Sequence, residues 1–208
     1  MQAHLPQIDL DKMQAVLDIE TRYVTGKITL EEGRKEVAER VGKIRPFHLA
    51  FIEQTLIEHT DEECIRENMA QKIQLFEGYM DYSRPDVPED HPLSRYYQEN
   101  EEMKRLLLAV EDLVQYPVIK NQWLELFDQL RKYPIHYSRK QNQLYPLLEQ
   151  KGFDRPTTTM WTFDDMVRDN IRDAYNLLEA GNEEEFIKSC KKLIFYGRDL
   201  MEKEETIL

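Results

Sequence analysis

The chain has 208 residues, of which 41% are hydrophobic and 33% charged, with 7 Gly and 9 Pro. That is enough apolar material for a buried core and too few loop formers for an all-β protein. The net charge is −12 with no basic block, which argues against nucleic acid and against an anionic membrane surface as partners, because both are held by Lys and Arg. No apolar run is long enough to span a bilayer and no cationic, apolar leader opens the chain, so a cytoplasmic location is expected. Cys64 and Cys190 are far apart and show no CxxC spacing, as expected of buried thiols in a reducing compartment.

Nearly every segment reads as helix. "DLDKMQAVLDIETRYVTG" places Leu10, Met13, Val16 and Leu17 on one face and stops at Gly26. "TLEEGRKEVAERVG" opens on Thr29 with Glu32 three residues on, a capping box, and ends at Gly42. "RPFHLAFIEQTLIEH" puts Pro46 at the first helical position. "TDEECIRENMAQKIQLFEGYM" repeats the capping signature with Thr60 and Glu63. These four helices predict a small helical domain over residues 9–82.

"DYSRPDVPEDHPL" carries three prolines, at 85, 88 and 92, and predicts a linker over 83–92. Beyond it Leu93, Tyr96, Asn100, Met103, Leu107, Val110 and Val114 recur in steps of three and four, a long amphipathic helix. A second helix from near Pro117 carries Trp123, Leu126, Phe127, Leu130, Tyr133, Tyr137 and Leu144. Pro134 predicts a kink in it and Pro146 its end. "FDRPTTT" reads as a loop, followed by a third helix over about 162–180. A fourth, from near Asn182, shows Phe186, Cys190, Leu193, Gly197, Leu200 and Glu204. The fold expected is all-α, with the small domain followed by an up-down-up-down four-helix bundle over 93–208.

The bundle carries a faint internal echo. "HYSRKQNQL" in the second helix and "LMEKEETIL" in the fourth can be placed in register, with His136 opposite Leu200, Gln141 opposite Glu205 and Leu144 opposite Leu208. "SRYYQEN" and "DDMVRDN" pair likewise, with Ser94 opposite Asp164 and Glu99 opposite Asp169.

Together, "DHPLSRYYQENEEMKRLL", "HYSRKQNQLYPLLEQKG" and "MWTFDDMVRDNIR" resemble the hemerythrin-like, histidine–histidine–glutamate (HHE) cation-binding domain. The resemblance is to the branch in which a small helical domain of unknown function, similar to residues 9–80, precedes the bundle. It implies four helices that send His and carboxylate side chains inward to hold iron, usually as a pair of ions. Imidazole and carboxylate suit that metal, and a bundle core lets each helix contribute a ligand or two.

Carried over by position, the resemblance implies a histidine where this chain has Ser94 and a carboxylate where it has Gln141. It implies a histidine again at Asp164. His136 and the acid at Glu205 match the pattern, with Glu204 beside the latter. His91 is expected to cap or orient the turn before Pro92. The candidate ligands are therefore His136, Asp164 and Glu205, while Ser94, Gln141 and Leu200 are vestigial ligand positions. The resemblance further implies a Cys-Asp-Val-His run where this chain has Met69, Ala70, Gln71 and Lys72.

One histidine and two carboxylates do not suffice for two ions. The leading expectation is a polar layer of hydrogen-bonded side chains with no cofactor, then a single iron or zinc ion, then a di-iron centre. The corresponding function is a non-enzymatic regulatory, sensor or interaction module with a degenerate metal site, acting through a sensory domain beyond the bundle or through a protein partner. The alternative is a metal-binding sensor or store of oxygen, nitric oxide or iron. A hydrolase or oxygenase is disfavoured, because no nucleophile–base pair stands out.

Overall fold

A computed structural model describes residues 9–57 and 69–208. All regular structure in these residues is helical apart from one isolated parallel bridge between Ile44 and Met80. The chain separates into two units. One comprises the residues up to Arg84 together with 150–156 and 206–208, and the other comprises 85–149 and 157–205.

In the first unit, α1 (Leu10–Val24) starts where the Asp9 carboxylate accepts the Lys12 amide. Helix α2 (Leu30–Glu36) starts from the complete Thr29/Glu32 capping box and runs into a π-helical turn over Val37–Val41. Gly42 ends it at φ +64°, a conformation that an L side chain resists. Helix α3 (Pro46–Ile57) does begin at Pro46, and α4 (Met69–Phe76) follows. The expected capping pair Thr60/Glu63, along with His4, His59 and Cys64, lies outside the described residues.

Val16, Ile19, Val37, Ile44, Ile52, Leu75 and Phe76 form the core of this unit. Gly33 admits the close approach of α4, since a Cβ there would lie 2.8 Å from Leu75 Cδ1. At its edge Arg22 and Arg40 each bridge Asp18 and Glu36.

The second unit is an antiparallel bundle. Its first leg is α5 (Pro92–Leu113). The second leg is built of α6 (Lys120–Leu130), α7 (Pro134–Arg139), a π-helical turn over Lys140–Leu144 and α8 (Tyr145–Glu149). Helices α9 (Asp154–Glu179) and α10 (Glu183–Ile207) complete it. Directions alternate along the chain. Glu99 of the first leg meets His136 of the second, while Arg105 further along meets Gln129 further back. In the same way Asn100 meets Glu204 and Glu111 meets Arg198.

One end of the interior is apolar. There Phe186 packs against Trp123 and Phe127 with ring centroids 4.8 and 5.7 Å away. Gly197 lets α10 close on α5, since a Cβ there would lie 2.9 Å from Leu107 Cδ1.

Two boundaries differ from the sequence expectation. Helix α9 begins at Asp154, so "FDRPTTT" supplies its first turn instead of a loop. Pro156 is tolerated there because a first-turn amide has no intrahelical acceptor in any case. The second leg also continues past Pro146 to Glu149. Proline cannot bond to the carbonyl four residues back and crowds it. The π turn just upstream, where the Tyr145 amide donates to the Lys140 carbonyl, opens the ladder and relieves that conflict. At Pro134, where a kink is expected, the helix is interrupted: the Tyr133 amide donates to the Leu130 carbonyl at 3.1 Å and α7 starts at the proline.

Candidate metal centre

The polar layer lies in the bundle at the end away from Phe186. Its middle is His136 on α7, with 2% of its surface exposed. Nδ1 is 2.7 Å from Glu99 Oε2, and Nε2 is 2.8 Å from Glu204 Oε1. A neutral imidazole has only one N–H, so its bare nitrogen would face a carboxylate lone pair. Two carboxylate partners fit the doubly protonated ring. Burial alone would push the His136 pKa down, but the hydrogen bonds to Glu204 and Glu99 outweigh it and hold the pKa above the ordinary value.

One turn on, the fully buried side chain of Lys140 reaches into the same layer. Its ammonium lies 2.7 Å from Asp164 Oδ1 on α9 and 2.6 Å from Glu204 Oε2 on α10. The Tyr137 and Tyr145 rings lie 5.2 and 5.9 Å from Nζ and complete its cage. The Tyr145 hydroxyl donates to Asp164 Oδ2 at 2.6 Å.

Two buried acids in one layer respond oppositely. Burial raises the Glu204 pKa, but the Lys140 charge and the His136 hydrogen bond reverse this and bring it to about 2. For Asp164 burial prevails over the same lysine, and its pKa stands above the ordinary value. At the rim Arg139 pairs with Glu99, and Asn100 donates to Glu204 and accepts from the Tyr133 hydroxyl. Three cationic groups (His136, Arg139, Lys140) thus balance three carboxylates (Glu99, Asp164, Glu204) with no further ion.

The residues singled out from sequence divide accordingly. His136 and Asp164 do lie in one layer, linked through Glu204 and Lys140. Glu204, not Glu205, is the acid that reaches them, and Glu205 bonds to Lys104 at 3.2 Å and to Asn100 at 3.4 Å instead. Gln141 is buried but bonds to α9 side chains outside this layer, donating to Asp165 at 3.2 Å and accepting from Arg168 at 3.1 Å. An amide suits that task because it offers both a donor and an acceptor. Ser94 donates to the Pro88 carbonyl and His91 Nδ1 accepts the Leu93 amide, so both belong to the entry of α5. Leu200 is core, 1% exposed.

Lys140, Glu99, Arg139 and Tyr145 were not singled out, although Lys140 carried a readable signal. It lies three residues after Tyr137 and four after His136, on the apolar stripe of the second leg. The first unit repeats the device: Lys72, where the resemblance implies a histidine, pairs with Glu20 at 2.5 Å, both side chains buried.

The fold and the site together define a helical bundle with a charged interior layer of imidazole, ammonium and carboxylates. The family comparison makes the class specific. The model of the hemerythrin HHE cation binding domain matches residues 91–208, so the chain belongs to that family, and the helical unit before residue 91 falls outside the match. No curated protein and no solved structure matches the chain.

The family implies a bound metal ion. The side chains here do not fit one. The Nε2 lone pair of His136 is engaged as an N–H toward Glu204. The space between Asp164 and Glu204 is filled by a tethered ammonium. Among the described residues, no group of three or more His, Cys, Asp or Glu is arranged to hold an ion. None of the helices among those residues is long and apolar enough to cross a membrane.

Proposed function

We propose that this chain is a metal-independent member of the hemerythrin HHE family, a non-enzymatic regulatory or interaction module of the cytoplasm. Its bundle serves as a scaffold, and its output passes to a protein partner or a sensory domain. The observation that carries the reading is the Lys140 ammonium between Asp164 and Glu204. A lysine on the scaffold supplies the positive charge that the family draws from metal, so the fold needs no ion to balance its buried acids. The surrounding groups are held in mutual hydrogen bonds, leaving no free general base beside a nucleophile. The alternative, a metal-dependent sensor or store of oxygen, nitric oxide or iron, requires the ammonium to leave first.

The test is to purify the protein without chelator from medium rich in iron and zinc, then measure metal content and melting with and without EDTA. The reading predicts far less than one ion per chain and a melt indifferent to EDTA. One or more ions per chain, with melting lowered by the chelator, would contradict it.

A further inference from the structure

We propose that two copies of this chain pair through the outer face of α10, antiparallel about a two-fold axis at Phe195. The inference stands apart from the interior layer and does not depend on the metal-independent reading.

The face follows from helix geometry. Phe186, Cys190, Leu193, Gly197, Leu200 and Glu204 hold α10 against the bundle. At about 100° per residue Phe195 points away from that stripe, and Lys188, Lys191, Asp199 and Glu202 lie within roughly 40° of it. Phe195 is 67% exposed, more than any other large apolar side chain among the described residues. Beside it runs a groove of about 590 Å³, lined in part by Val114 and Ile194. Leu108 on α5 is exposed as well. It lies between Lys104 and Glu111, whose side chains reach across to Glu205 and Arg198, and it extends the apolar surface on that side. An exposed ring beside a partly apolar groove has the form of an interface anchor.

The charges identify the occupant. Lys191 and Lys188 lie four and seven residues before Phe195, and Asp199 and Glu202 lie four and seven after it. A two-fold axis at Phe195 reverses the helix, so the two lysines of each copy meet the two acids of the other, with the rings at the centre. Charge that changes sign about an apolar midpoint is the condition for such a self-complementary contact; a parallel pairing in register would set lysine on lysine. Arg198, a cation in the acidic half, is held by Glu111 at 2.6 Å. Within α10, Lys188 bonds to Glu184 at 2.7 Å and to Glu185 at 2.8 Å, and Asp199 pairs with Lys203. Pairs of this exposed kind contribute little and exchange readily for a partner's charges. The net charge of −12 otherwise keeps copies apart, so a locally balanced stripe singles out this face. Helix α10 has 25 residues. A contact along it falls in the lower size class of interfaces, which sets the dissociation constant on the order of 10 µM.

The experiment measures the mass of the full chain by sedimentation equilibrium and light scattering, from about 1 to about 500 µM. Wild type should pass from monomer to dimer. Phe195→Glu should remain largely monomeric, a weakening of roughly a hundredfold or more. Lys188→Glu/Lys191→Glu and Asp199→Lys/Glu202→Lys should each be monomeric alone. Mixed in equal amounts they should form a one-to-one heterodimer, because each supplies the charge that the other has lost. None of the five positions is buried, so helical circular dichroism should match wild type in every variant.

A wild-type chain that stays monomeric throughout would overturn the proposal and leave this face to a different protein partner. A dimer indifferent to Phe195→Glu would place the contact elsewhere and overturn it too. So would a charge-reversed chain that dimerises like wild type, or two that do not associate when mixed.

Discussion

Lys140→Met keeps most of the side-chain volume and deletes the charge. In the native protein the ammonium faces two carboxylates at 2.7 and 2.6 Å, in a layer where Asp164 is fully buried and Glu204 is 7% exposed. At an effective dielectric constant of 20, each contact carries roughly 6 kcal/mol of gross attraction. Several kcal/mol of that is cancelled by the cost of desolvating each charge. What remains on breaking such a pair is about 3–5 kcal/mol, because two acids are left buried without a counter-charge. For a chain of this length each kcal/mol shifts melting by roughly 2–4 °C, so a fall on the order of 10 °C is expected.

Trp123 and Trp161, the only tryptophans, both lie in the bundle, so their fluorescence follows this unit directly during urea or thermal unfolding. If unpaired charge is the cause, Lys140→Met should cost about 1 kcal/mol less or better in a Glu204→Gln background. A Lys140→Met protein within ~0.5 kcal/mol of wild type, or strictly additive effects of the two changes, would refute the reasoning.

Leu200→Asp should destabilise the bundle by about 2 kcal/mol or more, since the residue is 1% exposed and the new charge has no partner; a neutral effect in the same melt would show that the α10 stripe does not face the core. Cys190 is fully buried and its thiol is pushed up to about 12, so its peptide should escape iodoacetamide in native protein and label only after denaturation. Arg22 and Arg40 hold the carboxyls of Asp18 and Glu36 below the usual values of 3.8 and 4.5, Arg40 being the larger cause for Asp18 and Arg22 for Glu36. Depressed acids stabilise above their unfolded pKa and lose that contribution as pH falls through the folded value. The stability gap between wild type and Arg22→Met should therefore be present at neutral pH and close in acid below those values; a gap that widened on acidification would count against the ion-pair account.

Much of the architecture was legible because it rests on local chemistry. The Thr29/Glu32 box, the Pro46 start and the Gly42 stop each reflect a backbone group that needs a partner or a φ that needs glycine. The errors also have local causes. Pro156 and Pro146 were read as breakers, but one sits in a first turn and the other follows a π turn that makes room for it.

At the centre, periodicity and family pattern pointed to different residues. The α10 stripe Phe186, Cys190, Leu193, Gly197, Leu200 continues to Glu204, which is the buried acid, while transfer of the family pattern selected its neighbour Glu205. Adjacent helical residues point about 100° apart, so one step in register decides which reaches the core. Lys140, although its place on the second-leg stripe was readable, was passed over for a different reason. A lysine is ordinarily solvent-facing, and only the two acids from other helices, distant in sequence, make its burial tolerable.

The most direct test of the account is a crystal structure of wild-type protein grown with iron and zinc, with anomalous data collected at both absorption edges. The account predicts Lys140 Nζ density bonded to Asp164 and Glu204, with no anomalous peak within bonding distance of His136. A peak coordinated by His136 and Glu204, with Lys140 swung out of the layer, would contradict it.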